Sequence, residues 1–570
     1  MSAPETPASL DPARWVTLVI VLMAAFIVVL DNTVLNVAIP TILREFHTTL
    51  PALEWVVTGY ALTFATLLII GGRLGDIYGH RRVFIIGAAL FGVGSLIASI
   101  STSVPQLVIG EALIEGIGAS MMLPATLALL SGTFHGRERA TAFAAWGASA
   151  GVAAACGPVV GGFLTSNYSW RWSFRINVII APLAIIGALV FMSDGVSTRR
   201  RVKIDFLGAL LVASGMFLFV FALSEGGTYG WLKPVEDFTI GGLVVWPASR
   251  AVSIMPLVFC AAITILFGFY VVERSKERRD AAPLFEFAHL RLKSYRYGLL
   301  TGLVLSMGQL GLSFVLPVFL QDGKHLSAAR NGLWLLPTGL FVILGAQIGG
   351  RLIRKVGATV VVRMGLVMYA VGVALVLRSV DLDVTVWGLL PGLACYGAGI
   401  GFAGAQLTNV VLSEIPNESS GVASGANTTV RQVGSALGVA VIGSLLTAQT
   451  TSHAIRGIKA AALPAAVKTH ALAGVHALGA NYRPPASTSA REAGLLTAAL
   501  EHGVATGTRF ALSFAIVVVA LGALLSFLIP RAPAQPGELS YRPVDVFEPL
   551  EPLDPDPALV GGRTEVSAGD

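Results

Sequence analysis

Charge is scarce in this sequence. Of 570 residues only 13% are Asp, Glu, Lys or Arg while 54% are hydrophobic, against roughly 25% charged in a soluble globular domain, and the mean hydropathy is +0.75. That balance excludes a soluble enzyme or binding domain. Cysteine is also rare: Cys156, Cys260 and Cys395 lie in or beside apolar stretches without metal-like spacing, which excludes a disulfide framework. No GxxxxGK[ST] motif occurs, so ATP is not expected as the energy source. No Ser/His/Asp set or metal-ligand cluster stands in the apolar runs, so neither an enzyme nor a bound metal or other cofactor is expected. No basic stripe with interleaved aromatics occurs, which argues against nucleic acid as a partner despite the net charge of +6.

What is abundant is apolar sequence in lengths that suit a bilayer. Segments of about 20 residues, enough to cross a hydrocarbon core as helices, recur along the chain. About fourteen are expected, near 15–37, 53–72, 83–100, 107–130, 140–164, 174–192, 206–224, 252–272, 297–320, 332–353, 359–377, 387–412, 428–447 and 510–528. The first lacks a small-residue cleavage site and reads as a permanent helix. The expected class is an all-α polytopic membrane protein.

Lys and Arg fall unevenly between alternate loops. With the N-terminus inside, the inner loops receive Arg81, Arg82, Arg137, Arg139, Arg199 to Arg201, Lys203, Arg274 to Arg279, Arg354 and Lys355. The alternate loops carry Arg44, Lys233, Arg250, Lys324 and Arg330. Both termini are therefore expected in the cytoplasm, and the Gly- and Ala-rich, Lys-poor composition points to a bacterial plasma membrane. Residues 225–251 read as an outer loop whose FTIGGLVVW can form a hairpin, 450–507 as a long outer loop with some helix, and the acidic, Pro-rich tail 530–570 as disordered.

The chain also repeats itself. GGRLGDIYG at 71–79 returns as GGRLIRKVG at 349–357, and Pro40 and Trp55 have counterparts in Pro317 and Trp334 at nearly the same offset. Two six-helix halves with two inserted helices are implied, an arrangement suited to alternating access around a central site. The expected boundaries are a cytoplasmic N-terminus 1–14, a first bundle 15–193, a linker 194–296 with the two extra helices, a second bundle 297–529 and the tail.

These residues resemble the major facilitator superfamily, in particular its fourteen-span drug:proton antiporters. Residues 30–40, LDNTVLNVAIP, fit that group's first-helix pattern L-D-x-T-x-x-N-x-A-x-P. Residues 72–82, GRLGDIYGHRR, resemble the superfamily's loop between spans two and three. GVAAACGPVVGGFL at 151–164 resembles the fifth-span antiporter pattern, and Trp170-Arg171-Trp172 with Asn177, and Arg431-Gln432-Val433-Gly434, also look like this group. The resemblance implies a major facilitator fold and a proton-coupled exporter.

The residues bear chemical readings of their own. Asp31, flanking a face shared by Asn32 and Asn36, is an acid at membrane depth, where ionisable groups are costly and mark ion pathways; a structural hydrogen bond, or a wet position near the outer surface, is the other reading. In span four, Glu111 and Glu115 stand where the family usually has arginine and glutamine. Two carboxylates one helical turn apart are either further proton carriers or binders of a cation, or else solvated near the surface. Gly72, Arg73, Asp76, Gly79, Arg81 and Arg82, with Arg354 in the second copy, read as a charged inner gate or as a simple turn with topology-fixing arginines. Gly151, Gly157, Pro158, Gly161 and Gly162 permit close helix approach, rigid or moving. Gln309, Gln347, Asn409, Asn427 and Arg431 are candidates for the second-half cavity. A monomeric exporter of hydrophobic or cationic small molecules, driven by protons, is expected. A lipid, siderophore or endogenous-metabolite carrier, or a non-transporting sensor, remain alternatives.

Overall fold

The computed structural model describes residues 13–134, 136–192, 205–240, 243–279, 284–285, 287–415, 420–479, 482–485 and 488–530. Residues 1–12 of the expected N-terminal segment, residues 194–204 of the expected linker 194–296 and the tail beyond 530 lie outside them. Sixteen α-helices, interrupted by one short hairpin, make up the described chain.

The first half comprises α1 (Arg14–Phe46), α2 (Leu50–Tyr78), α3 (His80–Ser99), a fourth crossing, α6 (Gly136–Asn167) and α7 (Trp172–Phe191). The fourth crossing has three parts: α4 (Val104–Leu107), a π-helical segment (Val108–Glu115) and α5 (Gly116–Thr133). Then come α8 (Phe206–Tyr229), strands β1 (Phe238–Ile240) and β2 (Leu243–Trp246), and α9 (Met255–Arg278). The second half comprises α10 (Lys293–Val318), continued by a π turn (Phe319–Gly323), α11 (Ala328–Val356), α12 (Ala358–Ser379), α13 (Val386–Leu412), α14 (Ser420–Ala460), the short α15 (Ala465–Leu478) and α16 (Ala490–Phe527). Each expected span falls on its own helical element. Among the described residues, twelve helices are long and apolar enough to cross a membrane, and the two other long helices, α2 and α6, complete the series.

Packing separates two sets of helices. α1 packs on α6 and α7, and α3 on α5 and α7; in the second half α10 packs on α14 and α16, and α12 on α13 and α16. The halves meet where α6 lies on α11 and α2 on α14. α8 and α9 pack on each other, with α8 also touching α2 and α14. Lys276 near the end of α9 ion-pairs with Asp205, the N-cap of α8, and with Glu273 at 3.1 Å, fastening the inserted pair.

The repeated loop is repeated geometry. Gly79 (φ 96°) and Gly357 (φ 83°) each make the whole turn between consecutive helices, and their N–H groups donate to Gly75 and Ile353 carbonyls four residues back. A positive φ is where glycine is tolerated without Cβ strain. Three expectations change here. The stretch from Gly72 through Asp76 is the last part of α2 rather than a turn, because only Gly79 leaves helical geometry. The first helix runs beyond the expected span 15–37, through Pro40 to Phe46. Most of 450–507 is helix, as α14 and α16 run far beyond the expected spans.

Candidate functional site

The first half encloses a cluster of three carboxyls. Asp31 on α1 and Glu111 and Glu115 on the π segment are 2%, 1% and 0% exposed, and one oxygen of each lies within 4.8 Å of the others. Asn177 on α7 ties them together. Its Nδ2 donates to Asp31 Oδ1 at 2.6 Å and to Glu115 Oε1 at 3.1 Å. Sequence reading left Glu111 and Glu115 between interior and solvated surface; the structure places them in the interior. Tyr60 on α2, also buried, lies within electrostatic reach of all three acids.

Local backbone explains the convergence. A π segment re-spaces side chains relative to an α-helix and is often found at functional positions. α3 presses directly on it: a Cβ at Gly94 would stand 2.5 Å from Glu115 N and 2.6 Å from Gly110 O. Glycine at Gly94 and Gly110 thus lets two backbones touch.

Among the described residues no Lys, Arg or His forms an ion pair with these carboxyls. Asp31 Oδ2, Glu111 Oε2, Glu115 Oε2 and Asn177 Oδ1 also find no hydrogen-bond partner among them. Three ionised carboxylates cannot be held this close in a low-dielectric interior without counter-charge. Such an arrangement is one that protons or a cation would neutralise. This corrects the expectation that no metal-ligand-like group stands in the spans. The three acids come from two helices, so no sequence spacing announces them.

The other expected residues divide. Asn36 is buried with both polar atoms unpartnered, whereas Asn32 is half-buried and donates to its own helix at Val28 O, 3.0 Å. In the second half Asn427 is buried beside Gly302, and Arg431 reaches the Ser306 hydroxyl at 3.4 Å. Gln309 is half-buried, its carbonyl accepting from Tyr396. Gln347 is exposed on a face with Leu344 and Ile348, away from the buried polar set, whereas Asn409, also exposed, donates to the buried Gln406 Oε1 at 3.0 Å.

The gate residues are also redistributed. Arg81 donates to the carbonyls of Ala188 and Leu189 at 3.0 and 2.7 Å, capping α7 within its own half instead of bridging the halves. Arg363 does the same for α16 in the second half, through Ser526 and Ile529. Arg82 is exposed, Arg73 is half-buried, and the side chains of Asp76 and Arg354 and the surroundings of Gly151 lie outside the described residues. The glycine-rich stretch of α6 serves two interfaces. Gly157 and Gly161 face Thr33 and Val34 of α1, while Gly162 meets Ala328, and Pro158 of the same stretch meets Gly332, both across the halves on α11.

At the end carrying the α1–α2 turn, outer in the predicted orientation, further contacts join the halves. Gln321 Nε2 donates to Val37 O at 2.8 Å, Ala329 N to Ser166 Oγ at 2.8 Å, and Arg44 pairs with Asp322 at 3.6 Å. Trp170 and Arg171 hold the same end of α1 through Glu45, each at 2.6 Å.

Two repeated helical halves around buried polar residues define a polytopic transporter fold. The profile of the Major Facilitator Superfamily matches residues 21–234 and 238–439, and the chain belongs to that superfamily. It is 35% identical over 439 residues to the "Probable actinorhodin transporter" of Streptomyces coelicolor, covering 76% of this chain and 72% of that one. It is 32% identical to the "Puromycin resistance protein pur8" of Streptomyces alboniger, over 78% and 84% of the two chains. Its fold is similar to a solved bacterial homolog of the human lysosomal transporter Spinster, with TM-score 0.57 and 14% identity over 91% of this chain and 98% of that one.

Proposed function

We propose that the protein is a proton-coupled exporter of small, largely apolar molecules. The observation that carries the reading is the buried trio Asp31, Glu111 and Glu115 with no basic partner among the described residues. Such a cluster gains or loses protons whenever its surroundings change between open and closed, so it links proton transfer to the conformational cycle. The names of similar proteins support the direction and the cargo. They include an actinorhodin transporter, a "Tetracenomycin C resistance and export protein" and a "Multidrug resistance protein Stp". Those names favour an antibiotic-like cargo over a lipid or siderophore.

The cycle runs as follows. Cargo enters from the inner side while contacts such as Gln321 to Val37 seal the outer end; Asn36, Asn427 and Arg431 supply polar groups along the path. Rocking of the halves about the α6–α11 contact then opens the outer side, where a proton displaces cargo and returns inward on the trio. Each proton moving down 100 mV supplies about 2.3 kcal/mol, enough for roughly fiftyfold concentration.

Everted membrane vesicles test this. Lipophilic cations and neutral antibiotics should dissipate an imposed pH gradient in vesicles with the native protein, and Asp31→Asn should abolish the response while leaving the protein folded. If native vesicles show gradient-independent uptake, a facilitator replaces the antiporter.

A further inference from the structure

The inserted helices also build a cavity. Beside the outer end of α8 lies a space of about 780 Å³, within the roughly 300–1,000 Å³ of small-molecule sites. Its wall takes Ser224, Glu225 and Tyr229 from α8, Leu50 from α2, and Ser444 and Leu446 from α14. The insertion and both halves therefore meet around one space, which shares no residue with the acid trio.

The charges in this wall are not matched. Asp322 faces two cations, Arg44 at 3.6 Å and Arg483 at 3.7 Å. Among the described residues the donors to Glu225 are neutral, Trp55 Nε1 at 2.6 Å and the Thr228 hydroxyl. Just behind the wall stands a second acid, Glu54. It is fully buried against Gly443, has no hydrogen-bond partner for either oxygen among the described residues, and lies within electrostatic reach of Glu225. Among the described residues Arg456 and His476, also in the wall, form no ion pair with either acid. The Ser224 hydroxyl, 4% exposed and without a partner among the described residues, lies in the same wall.

Glu225 and Glu236 in the wall with Glu54 behind it, an idle hydroxyl and an aromatic ring around a drug-sized space suit a positive charge carried on an apolar body. A small hydrated metal ion would leave the leucine and valine part of the wall unused, and an anion would meet Glu225. We infer that this cavity binds an organic cation, its charged nitrogen or phosphorus beside Glu225 and its apolar groups against Tyr229 and Leu446. Attraction to the ring face and the carboxylate together gives the selectivity for charge. The inference rests on the export reading only in assigning the cavity to the outward path.

Equilibrium binding of tetraphenylphosphonium to the full-length protein in nanodiscs, with no gradient present, tests it. The expected result is at least a tenfold loss of affinity in Glu225→Gln, a similar loss in Ala448→Trp, which adds bulk to the cavity wall, and native affinity in the control Gly268→Ala, whose added Cβ meets nothing within 4 Å. Native-like affinity in Glu225→Gln overturns the inference. Should that variant fail to fold, native-like affinity in Ala448→Trp overturns it instead. Loss of binding in Asp31→Asn with retention in Glu225→Gln and Ala448→Trp would move the cation to the acid trio, which also overturns it. Because no proton gradient is involved, failure of antiport leaves this result interpretable.

Discussion

Gly94→Ala adds a single methyl at the contact that positions the acid trio. The new Cβ would stand 2.5 Å from Glu115 N and 2.6 Å from Gly110 O, where unstrained heavy atoms need about 3.5 Å. Both neighbours are backbone, so no side chain can swing away, and α3 must part from the π segment by about 1 Å. Overpacking of this kind costs roughly 1–3 kcal/mol. The same shift stretches the 3.1 Å hydrogen bond from Asn177 to Glu115 beyond effective range. Coupling should therefore suffer more than folding. The comparison is Gly268→Ala on α9, where an added Cβ meets nothing within 4 Å. Thermal unfolding of the two purified proteins, followed by substrate-driven proton movement in proteoliposomes, reads both effects. Gly94→Ala should unfold several degrees lower and lose most proton exchange, and Gly268→Ala should match the native protein. Equal behaviour of the two variants would refute the idea that this close approach sets the trio's geometry.

Other expectations follow from the same coordinates. Arg81→Gln removes two hydrogen bonds to the α7 end and should cost about 1–2 kcal/mol of stability while sparing the cargo affinity measured on purified protein; a pure loss of transport at unchanged stability would restore the inter-half gate. Gly79→Ala and Gly357→Ala, at equivalent positive-φ turns, should each destabilise by about 1–3 kcal/mol, and a large difference between them in thermal unfolding would contradict the repeat. Glu45→Gln weakens a half-exposed staple to Arg171, so unfolding should shift by no more than about 1 kcal/mol; a larger shift would show that this end of α1 is held mainly by that pair.

Much of this was legible in the sequence because bilayer-length apolar runs leave little freedom in topology. The repeated GGRL segments gave the two halves, and the structure adds that Gly79 and Gly357 share one turn geometry. The site was only half legible. Asp31 stands out as an acid in an apolar run, but its meeting with Glu111 and Glu115 depends on helix packing and on a π segment that no residue pattern marks. Asn177 was visible as part of a motif, yet its role as the donor bridging two acids requires knowing that α7 lies against α1. Tyr60, Glu54 and Glu225 carried no local signal beyond being polar in apolar surroundings. At the repeated loop Arg81 turns back to cap a helix of its own half, while the side chains of Asp76 and Arg354, on which the gate reading rests, lie outside the described residues.

The central claim is that Asp31, Glu111 and Glu115 together hold exchangeable protons that cargo displaces. Proton release on cargo binding, measured with a pH-sensitive dye on the solubilised protein in weak buffer, tests it most directly. The account predicts at least one proton released per cargo molecule bound to the native protein and none once all three acids are replaced by their amides. If the triple-amide protein still binds cargo and releases as many protons as the native one, the trio is a structural cluster and the coupling acid lies elsewhere.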